Sequence, residues 1–138
     1  MKKKQQEKKL SYQIAAFIKL QYPKIEFRFD IAADLKLTIG QSAVVKDKLL
    51  HKRGYHDLTI LEPKGKYHGL LLELKKDKSE VFKQNGELKR KYNKKTNSCH
   101  NEEQRDHLDK MRKKGYIADY GFGFIDTVKK IKNYMDLQ

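Results

Sequence analysis

The stretch "GYHDLTILEPKGKYHGLLLELKK", residues 54–76, decides the fold of this chain. Two apolar runs, DLTILEP and GLLLELK, flank a glycine-containing turn, and this pattern predicts a β-hairpin. Successive side chains of a strand point to opposite faces of a sheet. One face of the second strand is therefore entirely leucine, and we expect it to pack on the core, while Glu73 and Lys75 occupy the opposite face with Leu71. The leucine face consists of Leu70, Leu72 and Leu74.

Asp57 opens the first strand of the predicted hairpin. Antiparallel pairing brings the start of the first strand beside the end of the second, so we expect Asp57 to lie close to Glu73 and Lys75. Two carboxylates a few ångströms apart repel each other unless a cation lies between them, and Mg²⁺ prefers oxygen ligands. The pattern therefore favours a divalent-cation site over a solvated Glu–Lys pair, with the backbone carbonyl of Leu74 as a further ligand. Lys75 could orient an attacking water or neutralise developing charge.

Residues 4–21 show helical spacing of apolar side chains, and Glu7 belongs to the same stripe as Leu10 and Ile14. A carboxylate on a buried face is unusual, so we expect Glu7 to face the site. Two alternatives remain open. Glu7 could lie in a frayed first turn and point to water, or a later helix start would turn Gln13 towards the site instead.

Residues 101–114 predict another helix, which Gly115 ends. Asn101 and Gln104 resemble a capping box at its start. Gln104 also lies four residues before Leu108 and seven before Met111, the apolar residues of this helix, so we expect its side chain to face inward as well.

The remaining elements complete an α/β pattern. A strand is predicted at residues 25–30, a short helix at 41–53 ended by Gly54, and a strand at 116–122. A last helix is predicted at 125–136, with an apolar face formed by Phe124, Val128, Ile131 and Met135. The order helix, strand, short helix, strand, strand, helix, strand, helix predicts a mixed sheet flanked by helices on both sides.

The composition favours a single domain, residues 1–138, that binds a polyanion. The chain of 138 residues is 38% hydrophobic and 36% charged, which allows a modest core, and residues 76–98 predict a basic insertion with a small hairpin around Asn85-Gly86. The net charge is +14 and the pI about 9.7, so nucleic acid is the expected partner, before an anionic membrane.

The single cysteine, Cys99, allows no disulfide within the chain, and we find neither a signal peptide nor a membrane span. We therefore expect a soluble cytoplasmic protein. Cys99, His100 and His107 are a poor zinc signal because no CxxC accompanies them.

Clusters of basic side chains outside the hairpin predict a DNA-binding face, and the alternative for each of them is a solvated surface charge. Tyr92, inside one cluster, is a candidate for stacking on an exposed base. The predicted DNA-binding residues are Lys46, Lys48, Lys52, Arg53, Lys76, Lys89, Arg90 and Lys91.

The pattern Asp57…Glu73-Leu74-Lys75 resembles the PD-(D/E)XK nuclease motif. Most of the chain is similar to the virus-type replication-repair nuclease (VRR-NUC) family, through "EKKL" at 7–10, "YP" at 22–23, "GYHDLTILEP", "YHGLLLELKK", "HNEEQRDHLDKMRKKGYIADYGFGF" at 100–124 and "IKNY" at 131–134. The resemblance implies a restriction-endonuclease-like α-β-β-β-α-β core and Mg²⁺- or Mn²⁺-dependent cleavage of DNA. It also implies that Glu7, Asp57 and Glu73 meet at the metal and that Gln104 supports the site.

Stand-alone members of that family imply a homodimer that acts on branched DNA, such as four-way junctions, in a bacterial or phage-infected cell. One residue departs from the family pattern, since His56 stands where a proline usually precedes the aspartate. We expect an ordinary turn residue there, with a phosphate or metal contact as the alternative. The other function that fits the charge is a basic nucleic-acid-binding module that keeps the fold without catalysis.

Overall fold

A four-stranded mixed sheet lies between two layers of helices in the computed structural model, which describes residues 2–30, 36–49 and 54–138. The elements in chain order are α1 (Lys3–Gln21), β1 (Phe27–Phe29), α2 (Ile39–Val44, continued by a π-helical turn at Val45–Leu49), β2 (Leu58–Ile60), β3 (Leu70–Lys75), a 3₁₀ turn (Lys78–Glu80), β4 (Tyr92–Asn93), β5 (Ser98–Cys99), α3 (His100–Lys113), β6 (Ile117–Phe122) and α4 (Gly123–Met135). The predicted order is confirmed, and the small β4–β5 pair is an addition inside the insertion.

The sheet has the strand order β1-β2-β3-β6. The first three strands are antiparallel, which confirms the predicted hairpin, and Leu58 lies opposite Leu72. Strand β6 runs parallel to β3 after the crossover through α3, with Tyr120 opposite Glu73. The carboxyl ends of β3 and β6 and the start of β2 therefore share one end of the sheet.

Strand β3 is buried on both faces, and its leucines alternate between two cores. Leu70, Leu72 and Leu74 pack with Ile14 of α1 and Ile131 of α4, among others. Leu71 belongs to a second cluster with Leu108 of α3 and Val81 of the insertion. Burying a leucine fully is worth about 1.5–3 kcal/mol relative to leaving it exposed, so packing on both faces holds this strand in place.

Helix α4 packs Val128, Ile131 and Met135 of its predicted apolar face on the core, whereas Phe124 is 41% exposed. Thr127 and Tyr134 are buried as well. These two polar side chains join the buried face because their hydrogen bonds are satisfied. The Thr127 hydroxyl donates to the carbonyl of Gly123, and the Tyr134 hydroxyl donates to that of Glu62.

The predicted capping box of α3 is wrong, because both side chains are used elsewhere. Cys99 occupies the N-cap position without a side-chain cap. The Asn101 amide donates to the carbonyls of Lys89 (2.8 Å) and Glu80 (3.3 Å), so it joins α3 to the insertion. Gln104 turns towards the sheet.

The insertion at 76–98 packs its few apolar side chains beneath α3. A bridge between Phe82 and Leu88 closes the hairpin around Asn85-Gly86, which confirms that predicted turn. Val81 and Leu88 are buried in the α3-side core.

The helical segment Ile39–Leu49 buries none of its residues, and residues 50–53 of the predicted short helix lie outside the described residues.

Side chains close the outer edge of β6. Ile117 donates its N–H inward to Gly69, so residues 118, 120 and 122 direct their backbone groups outward. Arg112 donates to the carbonyl of Ala118 and Lys130 to that of Tyr120, at 2.7 and 2.6 Å. The N–H groups of Tyr120 and Phe122 donate to the carboxylates of Asp119 and Asp126.

No helix in the described parts of the chain has the length and apolar character that crossing a membrane requires.

Candidate active site

Asp57 and Glu73 meet where β2 begins and β3 ends. The Asp57 N–H donates to the carbonyl of Leu72 at 3.1 Å, and Oδ2 of Asp57 accepts the Leu74 N–H at 2.7 Å. Each of the two carboxyl groups lies close enough to the other to shift its pKa. The hairpin therefore brings the two acidic residues of the sequence pattern side by side.

Glu73 is only 3% exposed, and its two carboxylate oxygens have different surroundings. Oε1 accepts a 2.5 Å hydrogen bond from Nε2 of Gln104 and lies 3.6 Å from Nζ of Lys75. Oε2 is buried and has no hydrogen-bond partner among the residues that the structure describes. Burial raises the pKa of Glu73 well above its ordinary value, and the negative charge of Asp57 raises it further, while Lys75 opposes both effects.

The pKa of Asp57 is also raised, chiefly by burial. The N–H of Leu74 opposes this shift by donating to the charged form, and the charge of Glu7 adds to it. Without a cation, the protein therefore favours at least one proton on this carboxyl pair at pH values where exposed carboxyls are ionised.

Lys75 and the backbone of Leu74 complete the inner arrangement. Lys75 is 8% exposed, so its ammonium is held beside Glu73 rather than in solvent. The N–H and C=O of one strand residue point to the same side. Since the Leu74 N–H points to Asp57, the Leu74 carbonyl faces that side as well.

Glu7 approaches the pair without joining it as a third close ligand. Helix α1 begins early enough to include Glu7, which is partly buried and acts on Asp57 through its charge, whereas Gln13 is exposed. Within residues 2–30, 36–49 and 54–138, no three histidine, cysteine or acidic side chains approach closely enough to hold a metal ion together. The reason is that α1 packs on the leucine face of β3, while Glu73 points to the opposite face.

The donor set of this site fits a hard divalent cation. The two adjacent carboxyls have raised pKa values, Oε2 of Glu73 is buried without a hydrogen-bond partner among the described residues, and the Leu74 carbonyl faces the same side. Mg²⁺ characteristically takes one or two carboxylates from a protein and fills its remaining positions with water and phosphate oxygens. The same residues suit Mn²⁺. Cys99, His100 and His107 form no such cluster, and Cys99 is buried.

His56 is a buried side chain, so the expectation of an ordinary turn residue is wrong. It is 2% exposed; Nδ1 lies 2.8 Å from Nε2 of His107 and Nε2 lies 2.5 Å from Oγ1 of Thr59. Burial, with a contribution from His107, lowers the pKa of His56 to about 4. Hydrogen bonds to both ring nitrogens thus hold the residue that precedes Asp57.

The sequence patterns did not place three side chains at this site: Tyr55, His107 and Tyr120. The Tyr55 ring stacks on that of His56 and lies tilted against that of His107. The Tyr120 hydroxyl is buried and has no hydrogen-bond partner within the described part of the chain. Burial and the charge of Glu73 raise the pKa of Tyr120 to about 12. A sequence signal existed for His107 alone, since it lies three residues after Gln104 on the same face of α3.

The backbone at Gly54 fits closely against the start of α3. Gly54 has φ +82°, and a Cβ there would lie 2.7 Å from the carbonyl carbon of Glu103 and 2.9 Å from the backbone nitrogen of Gln104. Glycine is required for both reasons.

The predicted DNA-binding residues are distributed unevenly. Lys46 and Lys48 are exposed after α2, and Lys76, Lys89 and Lys91 are exposed on the insertion. Arg90 is paired with Glu102 at 2.6 Å, and the Tyr92 hydroxyl donates to the same Glu102 oxygen at 2.9 Å. Lys52 and Arg53 lie outside the described residues.

A scan against protein-family models finds no match, and a search of curated proteins finds none either. A search of solved structures finds a chain described as "VRR_NUC domain protein", with a TM-score of 0.63 and 23% identity, covering 96% of this chain and 89% of that chain. The fold is that of a VRR_NUC domain protein. This finding confirms the predicted α/β nuclease fold, a mixed sheet flanked by helices.

Proposed function

We propose that the chain is a Mg²⁺- or Mn²⁺-dependent DNA endonuclease of the VRR-NUC type. The single observation that carries this proposal is the buried Asp57–Glu73 pair, in which Oε2 of Glu73 has no hydrogen-bond partner in the described ranges of the chain. The fold shared with a VRR_NUC domain protein supports a nuclease-family domain. The net charge of +14 supports DNA as the substrate.

Asp57, Glu73 and the Leu74 carbonyl would hold the cation. When bound, the cation would act as a Lewis acid on the phosphodiester and lower the pKa of a water molecule. Gln104 holds Oε1 of Glu73, which leaves Oε2 available as a ligand. We assign Lys75 to orient the attacking water or to neutralise charge that develops on the phosphate.

A non-catalytic binding module explains the basic surface but not the carboxyl pair. Burying two adjacent carboxyls with raised pKa values destabilises a protein at neutral pH unless a cation binds them. Perturbed pKa values of this kind cluster at functional sites. The acidic pair therefore favours the enzyme.

We further propose branched DNA, such as a four-way junction, as the substrate and a homodimer as the active form. Both parts rest on the resemblance of the sequence to stand-alone VRR-NUC members. A two-fold dimer would present two such sites to two DNA strands. We also propose that Glu7 contributes to the cation site through its charge on Asp57.

The direct test is cleavage of labelled four-way, flap and linear duplex DNA with Mg²⁺, Mn²⁺ or EDTA. We expect metal-dependent cleavage that Asp57→Asn or Lys75→Met abolishes while DNA binding, measured by gel shift, is retained. The matched control is Asp106→Asn, because Asp106 is an exposed carboxylate of α3 whose ion-pair partner is its neighbour Arg105. Absence of cleavage with every substrate and both metals would refute the enzyme.

A further inference from the structure

Tyr55 presents an aromatic ring to solvent beside the candidate active site, and the structure fixes the plane of that ring. The residue is 52% exposed. Its ring centroid lies 4.3 Å from that of His56, with 29° between the planes, and 4.7 Å from that of His107, with 42° between them. Part of the ring is therefore covered by imidazoles while much of it remains open.

The imidazole rings of His56 and His107, which contact Tyr55, are fixed by their own hydrogen bonds. The His56 and His107 rings are nearly parallel, at 18° and 5.1 Å between centroids. A hydrogen bond joins them, and the second nitrogen of His56 bonds to Thr59. An aromatic surface that is already oriented loses little conformational entropy when a flat ligand stacks on it.

This ring stack lies within reach of the carboxyl pair. Tyr55 is two residues from Asp57, so their Cα atoms are at most about 7 Å apart. His107 lies one helical turn from Gln104, whose amide bonds to Glu73. A nucleic-acid strand rises about 3.4 Å per nucleotide, so this Cα–Cα separation of at most about 7 Å corresponds to one or two nucleotides.

We propose that Tyr55 is a stacking platform for an unpaired nucleobase located one or two nucleotides from the scissile phosphodiester. A base inside a continuous duplex has both faces stacked on its neighbours, whereas an unpaired base has a face free for an aromatic side chain. Among the branched DNAs proposed above, the preferred substrates are therefore those with an unpaired strand next to the cut, such as a flap, over a fully paired four-way junction. This inference rests on the proposed nuclease function and adds a substrate preference to it.

A cation accompanies the ring stack. Lys110 of α3 is exposed, and its charge acts on His107. It is thus available for the phosphate of the stacked nucleotide. The other exposed tyrosine considered for base stacking, Tyr92, is 51% exposed, and its hydroxyl is bound to Glu102 on the insertion. Tyr92 therefore provides a control of equal exposure at a different position.

The first test measures stacking without cleavage. A single 2-aminopurine is placed in the unpaired arm of a flap substrate, at each of the first four positions from the branch, and its fluorescence is followed on binding in EDTA. We expect quenching at one or two adjacent positions with the wild-type protein, Tyr55→Phe and Tyr92→Leu, and loss of that quenching with Tyr55→Leu. Equal quenching by wild type and Tyr55→Leu would overturn the proposal.

The second test measures cleavage with metal. Base–aromatic stacking of about 1–3 kcal/mol predicts that Tyr55→Leu lowers kcat/KM on the flap substrate by about 5- to 150-fold, with little effect on a continuous duplex. An abasic nucleotide at the stacked position should lower wild-type cleavage by a similar factor and should not lower Tyr55→Leu further. A flat abasic scan with the wild-type protein would overturn the proposal, and it needs no variant to fold.

The two tests separate the two hypotheses. If the wild-type protein cleaves nothing but quenches 2-aminopurine through Tyr55, the nuclease proposal fails and the base platform stands. If cleavage is metal-dependent but independent of Tyr55 and of the abasic position, the platform fails and the nuclease stands.

Discussion

The side-chain amide of Gln104 donates a 2.5 Å hydrogen bond to Oε1 of Glu73, and it thereby joins α3 to β3 inside the carboxyl site. The bond orients one carboxylate oxygen, while the other, Oε2, has no hydrogen-bond partner in residues 2–30, 36–49 and 54–138.

Gln104→Met keeps the length of the side chain but removes the donor. Gln104 hydrogen-bonds to Glu73, which we propose as a metal ligand. Removing a side chain that hydrogen-bonds to a metal ligand typically lowers metal affinity or activity by about 10- to 100-fold, and we expect a cleavage defect of that size. The measurement is single-turnover cleavage across a Mg²⁺ titration. The control is Gln13→Met at an exposed position of α1. A Gln104→Met protein with wild-type cleavage at every Mg²⁺ concentration would show that the bond is structural only.

Glu73→Gln should stabilise the metal-free protein at neutral pH. The folded-state pKa of Glu73 is raised, so the stability it contributes is fully present below its unfolded pKa and is lost as pH rises through the folded pKa. Glutamine resembles the protonated form at every pH. We expect a melting temperature in EDTA at pH 7.5 that is higher by about 3 °C or more, with the difference vanishing near pH 4.

The proposed cation site predicts that Mg²⁺ raises the melting temperature of wild type and not that of Glu73→Gln, because a bound ligand stabilises the state that binds it. Glu87→Gln is the control, since Glu87 is an exposed carboxylate paired with Lys83. A variant that melts below wild type in EDTA at pH 7.5 would contradict the assignment of raised pKa values to the pair.

Cation affinity should increase with pH. The pKa values of Asp57 and Glu73 are both raised, so a proton competes with the cation until the pH exceeds those values. Displacing one proton corresponds to an increase in affinity of up to about tenfold per pH unit. Calorimetric Mn²⁺ titrations at pH 6 and pH 8, in buffers of different ionisation enthalpy, measure both the affinity and the protons released. Equal affinities without proton release would be incompatible with the site.

His56→Ala should destabilise the fold by about 2–4 kcal/mol, because it leaves a cavity and removes the partner of Thr59 and His107. The variant should also change the pH profile of stability. The folded-state pKa of His56 is lowered to about 4, so its contribution is present above its unfolded value of 6.5 and is lost as pH falls through the folded value. Urea unfolding from pH 7.5 to pH 4 measures both effects.

The free energy of unfolding of wild type should therefore exceed that of His56→Ala by less and less as the pH falls. His68→Ala is the control, because His68 is an exposed histidine next to Tyr116. A constant difference between wild type and His56→Ala across this range would show that His56 titrates normally.

Lys130→Met should open the outer edge of β6. Nζ of Lys130 binds the Tyr120 carbonyl and lies 3.3 and 3.2 Å from the carboxylates of Asp119 and Asp126. Unpaired strand edges promote association between chains, so we expect light scattering on mild heating to increase. Lys129→Met removes the neighbouring exposed lysine and should behave as wild type. Equal scattering by the two variants would assign the effect to charge alone.

The sequence could predict those parts of the site that depend on periodicity. Alternation along β3 separates the leucines from Glu73, and antiparallel pairing brings Asp57 to it, so both follow from local rules. Helical spacing likewise turns Gln104 inward, although the same residues suggested a cap. The competing cap did not form because the sheet supplies a buried carboxylate for Gln104 and the insertion supplies carbonyls for Asn101.

Contacts between distant segments could not be predicted in this way. His56 and His107 are 51 residues apart, and no periodic pattern indicates that their rings bond. The ion pair between Arg90 and Glu102 also joins distant segments, and the charge of Arg90 alone does not indicate this partner. The distance of Glu7 from a ligating position depends on which face of the sheet α1 covers, and an isolated helix pattern does not specify that face.

The close backbone contact at Gly54 has a mechanical consequence. No side chain separates Gly54 from the backbone of Glu103 and Gln104. The segment that leads to Asp57 therefore packs directly against the start of α3. The first turn of α3 is fastened to the insertion through Asn101 and Glu102. A displacement of the insertion would therefore reach both acidic side chains together, through the first turn of α3, the Gly54 contact and the Gln104–Glu73 bond.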